Sequence, residues 1–168
     1  PDRTRRPLSR TEWISKFFKT STAPAGHGFA QANLDTGLAC YAFEPKPTLP
    51  LEVLVLDNTG NDDSLSGAVA YLDQARYDWL VGELDRGQAE GKLMIIAAHA
   101  PIAVTGPTTG TEWWDSAADP NAVEQNAVSL TELVATLQGT PNLLLWIAGH
   151  RHLNTVKAFP STESPENG

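Results

Sequence analysis

The chain has one cysteine and one methionine in 168 residues, and no apolar run approaches the roughly 20 residues that a membrane-crossing helix needs. The single thiol, Cys40, excludes an internal disulfide. Its place in the apolar stretch Leu38 to Phe43 marks it as a small buried side chain. Basic residues are also scarce: 12 Lys and Arg stand against 20 Asp and Glu, for a formal net charge of −8. That balance argues against nonspecific nucleic-acid binding, which works by neutralising phosphates with Lys and Arg. The small cluster Arg3, Arg5, Arg6 and Arg10 reads as a solvated N-terminal tail. Acidity leaves a phosphate substrate open, because bound cations can dominate a local field. An initiating methionine and a signal-like segment are lacking at Pro1, Asp2 and Arg3, so the chain reads as trimmed, with any targeting sequence upstream.

A hydrophobic content of 41% and a charged content of 19% suit one soluble globular domain with a proper core. Ser9 to Lys19 reads as a short helix, with Ser9 and Glu12 as a capping box and Leu8 and Trp13 at the staple positions. A loop rich in Gly, Pro, Ser and Thr follows to Gly28. Leu38 to Phe43 and Leu51 to Leu56 read as strands separated by Pro45, Pro47 and Pro50, and Asn61 to Gly67 as a polar, mobile stretch. A helix is expected from Gln74 to Gly87 or slightly beyond, capped by Asp73, with Trp79, Leu80 and Leu84 facing inward. Leu93 to Ala98 is a third strand. Ser129 and Glu132 box a helix over Leu130 to Gln138, which Gly139 and Pro141 stop, and Leu143 to Ala148 is the last core strand. Leu153 to Phe159 reads as one further strand, and 161–168 as a flexible tail. Alternating strands and helices give an α/β class.

The chemistry concentrates at strand exits. Two of the four histidines, His150 and His152, stand one residue apart directly after Leu143 to Ala148, and His99 directly follows Leu93 to Ala98. Parallel strands of an open α/β sheet present ligand-binding groups at their carboxyl ends, and imidazole is the commonest metal ligand. The three are candidate metal ligands. An extended exit would turn His150 and His152 to one side, whereas a turn would let them diverge towards two neighbouring ions. Gly149 offers freedom for a sharp bend.

Other residues carry weaker signals. Asp57 and Asn58 follow the second strand, where both are oxygen donors and favoured turn formers. Asn58 and the loop residue His27 are candidate substrate contacts, as is Arg151, whose fork could grip a phosphate oxygen. Pro101 to Asn126 is a long irregular segment of the kind that is functional or disordered. Trp113 and Trp114 within it would line a pocket or cover the core.

A strand ending in His99-Ala100-Pro101, then a helix, then a strand ending in Gly149-His150-Arg151-His152 resembles the second half of a calcineurin-like metallophosphoesterase. Pro7 to Thr20, Gly26-His27-Gly28-Phe29, Tyr71 to Leu84 and Gly87 to Pro101 are similar to an uncharacterised bacterial branch of that family. The resemblance implies a four-layer αββα sandwich, with a mixed sheet flanked by helices and truncated on its N-terminal side. It implies hydrolysis of phosphomonoesters or diesters by two divalent ions (Mn, Fe or Zn), with His99 and His150 on one ion and His152 on the other. The family's Asp-x-His, Gly-Asp-x-x-Asp and Gly-Asn-His-Asp/Glu motifs are absent. No catalytic residue is therefore assigned, and residues 1–168 read as the C-terminal portion of one domain, inactive alone and weak or void in metal binding. Expected partners are a phosphate-ester small molecule, the N-terminal half of the same domain, and a second copy meeting exposed core. Bacterial cytoplasm and periplasm both stay open. Two other classes compete: a non-catalytic binding module that keeps the fold, and a mononuclear zinc hydrolase using the three histidines.

Overall fold

A computed structural model describes residues 8–22, 25–59, 71–102, 105–106, 110–111, 126–150, 154, 156 and 158. Arg151, His152, Trp113, Trp114, most of the long 103–125 segment, the 61–67 stretch, most of the strand expected over 153–159 and the 161–168 tail lie outside the described residues.

The chain opens with α1 (Arg10–Phe18), capped by the expected Ser9–Glu12 box. A 3-10 turn over Ala25–Gly28 and a short helix α2 (Gln31–Thr36) follow. Next come β1 (Tyr41–Phe43), β2 (Leu51–Leu56), α3 (Gln74–Ala89) and β3 (Leu93–Ala98). A two-residue ribbon of β4 (Thr105–Gly106) and β5 (Gly110–Thr111) precedes α4 (Leu130–Gln138) and β6 (Leu143–Ala148).

One four-stranded sheet has the order β1-β2-β3-β6. β2, β3 and β6 run parallel, and β1 is antiparallel to β2. This is the mixed α/β sheet expected from the alternating pattern. β2 alternates half-buried and fully buried residues, because α3 and α4 pack on one face while the other contributes Val55 to the floor of an open cleft. Leu54, Leu56, Met94 and Ile96 point to that face and form a continuous core with Leu80 and Leu84 of α3 and Leu130, Leu133 and Val134 of α4. Gly87 lets α3 come close to the sheet: a Cβ there would lie 2.4 Å from the sulfur of Met94.

Glu52 is the exception on the covered face. Its carboxylate is buried and receives a 2.6 Å ion pair from Arg86 of α3, which offsets the cost of removing that charge from water.

The opposite face has a different character. In the strand register, Val53, Ile95 and Leu145 line up, as do Val55, Ala97 and Ile147. Leu145 and Ile147 are 46% and 52% exposed. A bulge shifts the β3–β6 register after Met94, so Leu144 has no partner and Trp146 returns to the core side.

Candidate metal centre

Parallel neighbours in register bring the exits of β2, β3 and β6 to one edge: Leu56 pairs with Ala98, and Ala98 with Ala148. The residues that follow are therefore Asp57-Asn58, His99 and Gly149-His150. The Gly149 N–H donates to the His99 carbonyl at 3.1 Å, extending the ladder one step past the strands.

His99 and His150 meet there. His99 Nε2 lies 3.0 Å from His150 Nδ1, close enough for one ring N–H to donate to the other ring nitrogen. With Zn–N bonds of about 2.0–2.1 Å, two nitrogens on one ion would be about 2.9 Å apart in cis octahedral and about 3.3 Å in tetrahedral geometry. The separation lies in the range that two ligands of one divalent ion span, and it is also an ordinary hydrogen-bond length. Among the described residues, no group of three or more His, Cys, Asp or Glu side chains converges to complete a site.

The bend at this exit falls on His150 rather than on Gly149. His150 has a φ of 65°, whereas Gly149 is not among the glycines with positive φ. His150 itself is therefore not extended. Histidine tolerates the left-handed region better than most side chains, at a cost. Among the described residues the only other non-glycine with positive φ is His27, at 53°.

Asn58 is fully buried, at 0% exposure. The sequence offers it as a turn former first and as a candidate substrate contact second, and the structure turns its carboxamide towards the β3 exit. Its Oδ1 accepts from the His99 and Ala100 N–H groups at 3.1 and 2.9 Å, and its Nδ2 donates to the Ala100 carbonyl at 2.8 Å. Trp146 Nε1 donates to the same carbonyl at 3.3 Å. Asp57 also serves its own turn: Oδ1 accepts from the Thr59 N–H and hydroxyl, and Oδ2 pairs with Arg10 Nε of α1 at 2.7 Å.

Arg76 was not singled out by sequence reasoning, yet it organises this loop. Its guanidinium, 1% exposed, donates to the carbonyls of Asp57, Thr59 and Tyr71 at 3.1, 2.7 and 3.0 Å. It pairs with Asp73 as well and lies over the Tyr71 ring. A signal existed: Arg76, Leu80 and Leu84 fall four apart, so the arginine lies on the inward stripe of α3.

A cleft of about 1080 Å³ opens beside the pair, with His99 and Gly149 on its lining. The aromatic rings of Trp13, Phe17, Phe29 and Tyr41 and the His27 imidazole form another wall. These rings pack edge-on or tilted, with Trp13 to Phe17 centroids 4.5 Å apart and Phe17 to His27 centroids 5.3 Å apart. His27 thus shares a cleft with His99. Cys40 sits just behind, where burial pushes its thiol up to about 12, while the Asp57 N–H that donates to Sγ pulls it down by less.

No protein-family profile and no curated protein sequence matches the chain. No helix among the described residues is long and apolar enough to cross a membrane. Fold and site thus define an α/β domain with a strand-end histidine pair beside an aromatic cleft.

Proposed function

We propose that this chain carries part of the dinuclear centre of a metal-dependent phosphoesterase acting on phosphomonoesters or diesters. The observation that supports this reading is the 3.0 Å approach of His99 Nε2 and His150 Nδ1 at the carboxyl edge of adjacent parallel strands. The two imidazoles would hold one ion, with His152 serving the other. A bound ion of this kind activates water and stabilises charge on phosphorus. The role of His99 and His150 is to present neutral nitrogens from a fixed backbone, and the adjoining cleft receives the organic part of the ester. Arg151 and His27 are the substrate-facing candidates. In this proposal the domain belongs to the four-layer sandwich, and the carboxylate donors come from an upstream segment that packs on the open sheet face.

The test is hydrolysis of p-nitrophenyl phosphate with added manganese, together with the coding sequence upstream of Pro1. Little turnover by the chain alone is expected, with the three missing acidic and asparagine motifs encoded upstream. Robust turnover by the chain alone would overturn the partial-site reading.

A second reading, a non-catalytic binding module, draws support from Asp57. Its carboxylate is engaged by Arg10 and Thr59, so the nearest strand-end acid is already committed. Absence of the upstream motifs would favour this reading.

A further inference from the structure

We propose that Asn58 is the positioning residue of the histidine pair, fixing the His99 backbone so that its ring reaches His150 in the geometry one divalent ion requires. This inference rests on the metal reading only for the ion, since the clamp consists of this chain's own groups. Three contacts carry it. The carboxamide spans two consecutive residues of the β3 exit, accepting from both the His99 and Ala100 N–H groups and donating to the Ala100 carbonyl. From the other side, β6 holds the same segment through the Gly149 N–H on the His99 carbonyl and Trp146 Nε1 on the Ala100 carbonyl. Asn58 itself is immobilised, because Arg76 binds the carbonyls of Asp57 and Thr59 on either side of it and the Tyr71 N–H donates to its own carbonyl.

The chemistry of the side chain matters. Only a carboxamide offers an acceptor for two adjacent amides and a donor for the following carbonyl from one planar group. A buried apolar residue of that size would take the acceptor away from the His99 and Ala100 N–H groups and leave the Ala100 carbonyl to Trp146 alone, and the exit would turn to find other partners. His99 would then swing away from His150. Supporting hydrogen bonds around metal ligands act in this way, and their loss costs roughly 10–100-fold in metal affinity.

The experiment uses the full 168-residue chain, labelled with 15N, titrated with zinc chloride and read by ring and amide NMR. In the unmodified chain, the His99 and His150 ring nitrogens should report a shared N–H before zinc is added. The Asn58 side-chain amide should exchange slowly with solvent with or without zinc. Asn58→Ala should abolish the ring-to-ring signature and weaken zinc binding roughly 10–100-fold. Asn58→Asp keeps the acceptor for both amides but sets a second acceptor oxygen against the Ala100 carbonyl in a buried site, so it should restore the ring-to-ring signature only in part and leave zinc binding weakened. A folded Asn58→Ala chain with wild-type ring signals would overturn the inference, as would rapid exchange of the Asn58 amide in the unmodified chain. That second measurement decides the matter even if the alanine variant does not fold. If the unmodified chain binds no zinc but shows the ring contact, and the alanine variant loses that contact, the metal reading fails and the positioning role stands.

Discussion

His99 and His150 contact each other nearly at right angles, with ring planes at 78° and centroids 4.9 Å apart. The contact depends on an unfavourable backbone, because His150 reaches it with a φ of 65°. A left-handed residue bearing a side chain costs roughly 1–2 kcal/mol, part of which glycine gives back through its greater freedom in the unfolded chain. His150→Gly is therefore expected to stabilise the fold by about 0.5–1 kcal/mol. It should also weaken zinc binding by more than the roughly tenfold cost of losing one supporting hydrogen bond. Urea unfolding and zinc titration check the two halves. A variant less stable than the parent would show that the ring contact outweighs the strain.

Arg76 holds the β2 exit from beneath. Three backbone carbonyls and the Asp73 carboxylate surround its guanidinium in the core. All three carbonyls accept from Nη1 while Nε faces the Asp73 carboxylate; lysine keeps the charge but has one nitrogen, which cannot serve the carbonyl cluster and Asp73 together. Arg76→Lys is expected to cost about 2–4 kcal/mol, as a buried charge with incomplete pairing does. The urea midpoint should fall with an unchanged slope. A loss below about 1 kcal/mol would place this residue with ordinary surface substitutions.

Cys40 supplies a dependence on pH. Burial favours its neutral thiol and lifts the pKa from 9.0 to about 12. Between those values the unfolded chain has released the proton and the folded chain retains it, so stability falls as pH rises. The contribution is complete below pH 9 and is lost as pH climbs towards 12, at up to about 1.4 kcal/mol per pH unit. Cys40→Ala should flatten this part of the stability profile relative to the parent chain, leaving the slope from other groups. Equal slopes from pH 9 to 11 would show that the thiol ionises in place.

Hydrophobic period and cap chemistry made much of the fold legible. The bounds of β2, β3, α4 and β6 follow directly from Leu51 to Leu56, Leu93 to Ala98, the Ser129–Glu132 box and Leu143 to Ala148. The same strand ends located His99 and His150. Elements held by distant contacts were not legible. α2 has six residues and no capping side chain at Ala30. Asn33 instead ties it down, donating to the carbonyls of Leu38 and Cys40. β1 covers only Tyr41–Phe43 of the stretch expected from Leu38, because those two carbonyls are already taken by Asn33. The turn at Gly26 and His27 has left-handed dihedrals, which no periodic pattern announces. The Asn58 carboxamide bonds to residues 41 and 42 positions away, and spacing along the chain carries no trace of such a contact.

The sheet face that α3 and α4 leave open, part of which floors the aromatic cleft, yields the last prediction. Leu145 and Ile147 stand out from β6, and register places Ile95, Ala97, Val53 and Val55 beside them on the same side. Among the described residues β6 pairs only with β3, so its outer edge is also available. Burying one such side chain is worth about 1.5–3 kcal/mol, so a layer laid over several of them has a large driving force. The chain is expected to self-associate as its concentration rises, by way of this face. Leu145→Lys combined with Ile147→Glu should abolish that association in sedimentation velocity. Both positions are about half exposed, so the thermal midpoint should shift little, as surface changes usually stay within about 0.5 kcal/mol. Unchanged self-association by a folded double variant would exclude this face as the contact. A large loss of stability would show instead that it is already covered within one chain.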